Sequence, residues 1–226
     1  MNQSNGSHGE FAHRPIVWGK NGMVGGGTQL TAQTGMRALY QGGNAIDAAV
    51  ASALAAGVLE PTAHYTLGGE VAMLYYEATT GKVRSIVGQG WAPQAASIEL
   101  YTERWGTIPP GVQSTTVPGV ISALLTMLTE YGTMSFRQVA SDTYELANGG
   151  FPAYQLFCRA LTTSERIANI QSYPETARIF RPGGQPPALG TIFKQSDLAN
   201  TISQMIQAED GALSALYKPP SQSDVA

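Results

Sequence analysis

The chain has 226 residues, 43% of them hydrophobic and only 13% charged, with a net charge of −3. An ordinary domain carries about 25% charged residues, so a chain this poor in charge is expected to hide part of its surface against a partner. A negative balance with no basic cluster excludes a nucleic-acid binder, a mean hydropathy of −0.08 suits a soluble globular chain, and one cysteine, Cys158, excludes an internal disulfide.

Residues 1–14, MNQSNGSHGEFAHR, are polar, lack the apolar core of a secretory signal, and read as a tail in which His8 and His13 are surface residues. With no leader visible a cytoplasmic location is expected, or a periplasmic or extracellular one if a leader has been removed. Residues 15–218 read as the folded region and 219–226 as a polar terminal segment. Residues 15–24, PIVWGKNGMV, read as two short strands about a Lys-Asn-Gly turn. Gly25, Gly26, Gly27 and Thr28 lead into a helix over 29–41, with Met36, Leu39 and Tyr40 on one face and Gly42 as its stop. This glycine run matches neither nucleotide-binding spacing and no lysine follows it, so phosphate binding is not expected.

The organising stretch is 42–76. Asn44 is placed to cap a helix and Asp47 sits in its first turn, where the helix dipole favours a carboxylate. From 45 to 59 nearly every residue is apolar, so this helix is expected to be buried on all sides. At ~1.5 Å per residue it is too short to cross a bilayer comfortably, and no membrane association is expected. It should end near Leu59, because Glu60 precedes Pro61 and is pushed out of the α region. Residues 71–78, VAMLYYEA, form the strongest strand signal, with a turn at 79–82 and a returning strand over 83–87. Val71, Met73 and Tyr75 take one face and Ala72, Leu74 and Tyr76 the other; both are mostly apolar, which predicts a sheet covered on both sides.

Residues 88–93, GQGWAP, follow at the strand end, where loops carry sites. An amphipathic segment over 95–105 ends in Trp105, and a helix over 119–131 carries Val120, Leu124, Met127, Leu128 and Tyr131 before Gly132 closes it. Ser135 and Gln138 form a capping-box pair for a helix packing through Phe136, Val139, Thr143 and Leu146. Gly149-Gly150-Phe151-Pro152 ends that helix, and a third runs over 153–167. Arg178, Ile179 and Phe180 belong to a proline-glycine loop extending to Pro187, after which Leu198, Ile202, Met205 and Ile206 give a last helix its apolar side. Residues 212–217, ALSALY, read as a separate short segment.

GGNAIDAAVA at 42–51, Glu60-Pro61, the loop with Gly68 and Gly69, Val117-Pro118-Gly119, Gly150-Phe151-Pro152 and Gln195-Ser196-Asp197-Leu198-Ala199 fall in one order. Over about residues 21–218 this order resembles the γ-glutamyltranspeptidase family of N-terminal nucleophile hydrolases. The resemblance implies an α/β (α+β) fold, the four-layer αββα sandwich, incomplete in this chain, which would be the N-terminal part of the large subunit. It further implies a precursor that cleaves itself, so that a threonine becomes the first residue of a small catalytic subunit. That threonine's α-amine is the base and its hydroxyl the nucleophile. The family's T-[ST]-H motif occurs nowhere in the sequence, so no catalytic residue is expected in this chain. The implied partners are an amide substrate and the small subunit, as a heterodimer or a dimer of heterodimers, with no cofactor and no metal.

Two departures bear on substrate. Where the family has a glycine-rich loop, this chain has His64-Tyr65-Thr66-Leu67-Gly68-Gly69-Glu70; the added bulk makes His64 a candidate substrate contact, beside its reading as a hydrogen-bonded structural residue. The family's D-x-R-E-x-A-P loop, whose arginine binds the α-carboxylate of a γ-glutamyl group, corresponds to Val87 through Pro93, with Gln89 at the arginine and Gly90 at the glutamate. A neutral amide cannot replace the guanidinium's paired charge-assisted bonds. Gln89, Gly90 and Trp91 are therefore candidate substrate-binding residues for a non-glutamyl acyl group, with Trp91 as a possible wall; in the alternative they only close a loop. A serine triad would have to use His64, a zinc site would need more histidine and cysteine than the chain has, and Thr115-Thr116 is accounted for by the Val117-Pro118-Gly119 passage. Cys158 reads as a small core residue. The resemblance implies a γ-glutamyltranspeptidase-like hydrolase or acyltransferase that cleaves a γ-glutamyl or related amide bond with a threonine carried on a downstream segment; an amidohydrolase or acylase of the same family acting on a non-glutamyl amide, and a non-catalytic binding relative, are the rival functions.

Overall fold

The computed structural model describes residues 17–63 and 65–216. The predicted tail, Pro15, Ile16, His64, Tyr217, Lys218 and the terminal segment lie outside them.

Asn44 and Asp47 start the helix on which the others pack. Asn44 accepts from the backbone N–H of Ile46 (2.8 Å) and Asp47 (3.0 Å), and the Asp47 carboxylate returns a bond to the Asn44 N–H at 2.7 Å, giving a reciprocal capping box. Asp47 is fully buried and also accepts from the Thr133 N–H (2.9 Å), the Thr133 hydroxyl (2.6 Å) and the Met134 N–H (3.1 Å). A residue expected only to favour the helix dipole thus clamps a distant turn. Helix α2 (Ala45–Leu59) buries Ile46, Val50, Leu54 and Val58, but Ala45 and Ala49 are exposed and Ala53 and Ala56 half-buried. Burial on all sides is corrected to burial on all but one stripe, because no described element packs there.

Helix α1 (Gln29–Tyr40), capped by Thr28, lies along α2 through Thr31, Thr34, Gly35 and Ala38. Of the expected face, Leu39 packs partly against the core and Met36 is half-buried, while Tyr40 is exposed. The fully buried face is set by distance: a Cβ on Gly35 would collide with the Ser52 hydroxyl and the Ala48 carbonyl, so only small residues fit the contact. Residues 17–28 form no strand, in contrast to the expected pair; no other strand lies beside them and five glycines break the run.

Strands β1 (Val71–Glu77) and β2 (Lys82–Gly88) pair antiparallel, from Val71 opposite Gly88 to Glu77 opposite Lys82. Val71, Met73 and Tyr75 turn toward the core, and the Tyr75 ring lies 4.6 Å from that of Tyr131. The other face is uncovered among the described residues: Leu74 is 76% exposed, with Tyr76, Val83 and Val87 also exposed. The period-two apolar pattern was legible, but the second covering layer it calls for is absent from the described residues.

Helix α3 (Ile98–Trp105) starts later than expected because Ser97 caps it, accepting from Leu100 N–H at 3.1 Å, and ends on Gly106 in the left-handed conformation. Helices α4 (Val120–Tyr131) and α5 (Phe136–Asn148) follow, α5 with the anticipated Ser135–Gln138 capping box. The expected helix over 153–167 is instead α6 (Gln155–Ala160) and α7 (Ser164–Gln171), and Arg178, Ile179 and Phe180 lie in a further helix, α8 (Pro174–Phe180), rather than a loop. The buried Arg181 guanidinium holds the break, donating to the Leu161 carbonyl (2.5 Å) and the Gly184 carbonyl (2.8 Å), while Pro174 suits the first helical position of α8. Two-residue strands β3 (Phe151–Pro152) and β4 (Ile192–Phe193) pair, and α9 (Ser196–Leu216) absorbs the segment after 212. Phe151, Phe157, Phe180 and Phe193 form an aromatic cluster, continuous with the main core, that fixes these short elements. Among the described residues no helix is long and apolar enough to cross a membrane.

Candidate functional site

The hairpin register builds the site. Because Val71 faces Gly88, the residues just before β1 and just after β2, Gly69-Glu70 and Gln89-Gly90, leave the sheet side by side. The segment entering α4 meets them there. Val117 N–H donates to the Trp91 carbonyl at 2.9 Å, and the Gly119 and Val120 N–H groups both reach the Gly69 carbonyl, at 3.0 and 3.3 Å. Three loops are thus laced together by backbone alone. Two glycines are required by the closeness of the lacing: a Cβ on Gly90 would collide with the Val117 carbonyl, and one on Gly119 with the Gly88 carbonyl. The α4 N-terminus, with two N–H groups already bonded to Gly69, does not offer them to an anion.

Gln89 is exposed at this junction, and its amide takes no partner among the described residues. Gly90 is half-buried in the lacing. Trp91 is 86% exposed; its carbonyl is held by Val117, while Ala92 and Pro93 after it line a cavity of about 430 Å3. Of the four candidate site residues the structure therefore brings Gln89, Gly90 and Trp91 to one junction, and His64 lies outside the described residues. Next to it in sequence, the Tyr65 phenol is pushed up to about 12 by burial, so it stays protonated at neutral pH.

Sequence reasoning missed two members. Glu70, noted only as added bulk, accepts a 3.0 Å hydrogen bond from the Thr116 hydroxyl across the junction, and Thr116 also lines the cavity. Their sequence separation hides the contact; the strand register, read outward by one residue from Val71 and Gly88, is the signal that would have put Glu70 beside Gln89. The outcome is a junction with an uncharged amide and an anionic carboxylate. It can donate and accept hydrogen bonds and can favour neutral or cationic groups, and Gln89 offers no charge to hold a carboxylate. Among the described residues no group of three metal-ligating side chains gathers, and Thr116, spent as a donor to Glu70, is not set up as a nucleophile.

The sequence profile of the family described as Gamma-glutamyltranspeptidase matches residues 31–219. The chain is 34% identical over 204 residues to the glutathione hydrolase-like YwrD proenzyme of Bacillus subtilis (strain 168), a match that covers 89% of this chain and 38% of that relative. Among solved structures it resembles the γ-glutamyltranspeptidase of Helicobacter pylori, with TM-score 0.78, 28% identity, and coverage of 86% of this chain and 56% of that one. It also resembles the cephalosporin acylase of Bacillus halodurans, with TM-score 0.81, 28% identity, and coverage of 92% and 40%. The chain thus spans less than half the length of the curated relative, and the fold it carries is that of the N-terminal nucleophile hydrolases, in part. Profile, identity and fold agree with the order of motifs along the sequence: the chain belongs to the γ-glutamyltranspeptidase family.

Proposed function

We propose that this chain furnishes the scaffold and the acyl-side wall of an amide hydrolase or acyl transferase whose threonine nucleophile lies on a further segment of the same precursor. The hydroxyl, deprotonated by its own α-amine, adds to the amide carbonyl; the amine leaves with that proton, and water or an acceptor amine then releases the acyl group. The names of the similar proteins, hydrolase, transpeptidase, acylase and proenzyme, support this reaction class and a precursor. The uncovered hairpin face of Leu74, Tyr76, Val83 and Val87 supports a second segment packing there, since exposed apolar strands gain roughly 25 cal/mol for each Å2 covered.

The acyl group we assign is not γ-glutamyl. The observation that carries this assignment is Gln89 at the position of the family's arginine, with the Glu70 carboxylate in the same junction. Hydrogen bonds to charged groups contribute roughly 1.5–3 kcal/mol against about 1 for neutral ones, so an α-carboxylate loses its main anchor here and gains a like-charged neighbour. The glutathione hydrolase-like name of the B. subtilis relative favours a second reading, a γ-glutamyl substrate held by groups on the other segment. Mass spectrometry of the purified precursor, followed by assays on γ-glutamyl, glutaryl and short neutral acyl anilides, separates the readings. We expect two fragments from one precursor, assembled as a heterodimer or a dimer of heterodimers, and faster turnover of neutral acyl anilides. Preferred turnover of γ-glutamyl anilide with tight binding of free glutamate contradicts the acyl assignment. A single unprocessed species without turnover contradicts the enzyme and leaves a binding relative.

A further inference from the structure

We propose that the cavity between α3 and the segment returning to α4 receives the uncharged, apolar acyl group of the amide substrate, a group about the size of an aromatic ring. This rests on the amide-hydrolase reading above and names the substrate class of the same site.

Residues 92–116 form an excursion whose neck is the hydrogen bond from Val117 N–H to the Trp91 carbonyl, so the excursion opens from the junction that holds Gln89 and Glu70. Inside it, Gly106 ends α3 and turns the chain back, and the Tyr101 hydroxyl donates to the Gln113 carbonyl at 2.5 Å, tying the helix to the returning segment. Between them lies the cavity of about 430 Å3, within the range of about 300–1,000 Å3 usual for small-molecule sites. Two features state what it takes. No charged side chain lines it, and Ile98 and Ile108 on its wall are 82% and 68% exposed. Helix α3 fully buries none of its residues, so the exposed part of this apolar wall gains when something apolar covers it. Location adds to this: Thr116 belongs both to the cavity wall and to the contact with Glu70, so a carboxylate lies one hydrogen bond from the wall. An acyl chain carrying a terminal carboxylate would come near Glu70 in a lining with no cation; a phenylacetyl or hexanoyl group meets neither obstacle.

The test is calorimetric titration of the chain with phenylacetamide, hexanamide, shorter alkyl amides down to acetamide, and anionic glutaramate, with the fluorescence of nearby Trp91 and Trp105 as a second readout. Phenylacetamide and hexanamide should bind, and each methylene removed from the alkyl amide should weaken binding about fourfold, ~0.8 kcal/mol per methylene. Ile98→Asp and Ile108→Asp, both at exposed positions and checked for folding by circular dichroism, should weaken phenylacetamide about tenfold or more, while Leu74→Asp on the hairpin leaves it unchanged. Acetamide binding as well as hexanamide, glutaramate binding as well as either, or both isoleucine variants behaving as the parent would overturn the assignment. The two proposals fail differently. Binding of neutral amides without turnover by the precursor sinks the enzyme and keeps the cavity; turnover of neutral amides that Ile98→Asp and Ile108→Asp leave unaltered sinks the cavity and keeps the enzyme.

Discussion

Replacing Asp47 by Asn tests whether a single buried carboxylate joins α2 to the turn between α4 and α5. Burial alone would raise the Asp47 pKa, and it is the largest single influence. The hydrogen bonds from the Thr133 hydroxyl and from the backbone N–H groups of Asn44, Thr133 and Met134 together outweigh it and hold the carboxyl below its usual range. One oxygen accepts from Thr133 and Met134 N–H, the other from Asn44 N–H and the Thr133 hydroxyl. An amide NH2 in place of the first oxygen faces two backbone donors; in place of the second it faces the Asn44 N–H, while the Thr133 hydroxyl can turn to accept from it. At roughly 1.5–3 kcal/mol for a lost bond to a charged acceptor, Asp47→Asn in its better orientation should cost about 1.5–3 kcal/mol, a sizeable part of the ~5–15 kcal/mol that holds a domain together. Urea denaturation measures it, as a lower midpoint with an unchanged slope. The pH dependence follows in sign. A carboxyl whose folded pKa is depressed contributes stability fully above its unfolded value, ~3.9, and loses it as pH falls through the lower folded value. The parent should therefore weaken below about pH 4 by a component that Asp47→Asn lacks. A loss below ~1 kcal/mol, or an identical acid limb in the variant, refutes the clamp.

Gln89→Arg restores the cation and should raise kcat/KM for a γ-glutamyl anilide about tenfold to a hundredfold, from the ~1.5–3 kcal/mol of a charged pair; no change means that Gln89 does not face the acyl group. Gly90→Ala drives a methyl into the Val117 carbonyl and should destabilise by ~1–3 kcal/mol, read as a lower Tm together with faster proteolysis of the 92–116 excursion. Leu74→Glu lies on the exposed hairpin face, so it should leave the chain's own urea midpoint within ~0.5 kcal/mol. The same variant should sharply reduce co-purification of a second precursor fragment; unimpaired assembly means that the fragment packs elsewhere.

Local rules carried the elements they govern. Asn44, Ser135 with Gln138, and Gly132 mark helix ends through contacts within a few residues, and all act as read. What a sequence pattern does not hold is distance between elements. Gly35, which no sequence pattern singles out, sets the packing of α1, because contact with Ser52 admits nothing larger. The helix read over 153–167 breaks at Leu161 because Arg181, twenty residues on, captures its carbonyl. The short β3–β4 pair joins residues forty apart and carries no alternation long enough to read.

The candidate residues of the junction were singled out for a different reason. Gln89, Gly90 and Trp91 stood out as departures from a family pattern, and departures point to position, not to surroundings. Their surroundings come from the hairpin: once Val71 is opposite Gly88, Glu70 must emerge beside Gln89, and the lacing at Val117 and Gly119 then brings Thr116 to Glu70. The same lacing accounts for Gly90. A glutamate there would have had to place its Cβ on the Val117 carbonyl, so in this backbone the neutral loop and the closed neck of the 92–116 excursion are one structural choice. Restoring charge at 89 alone leaves that neck intact, whereas restoring a side chain at 90 opens it. Gln89→Arg therefore reports on specificity and Gly90→Ala on the excursion, and the two effects should combine additively only if the acyl group is read at 89 without help from the cavity behind the neck.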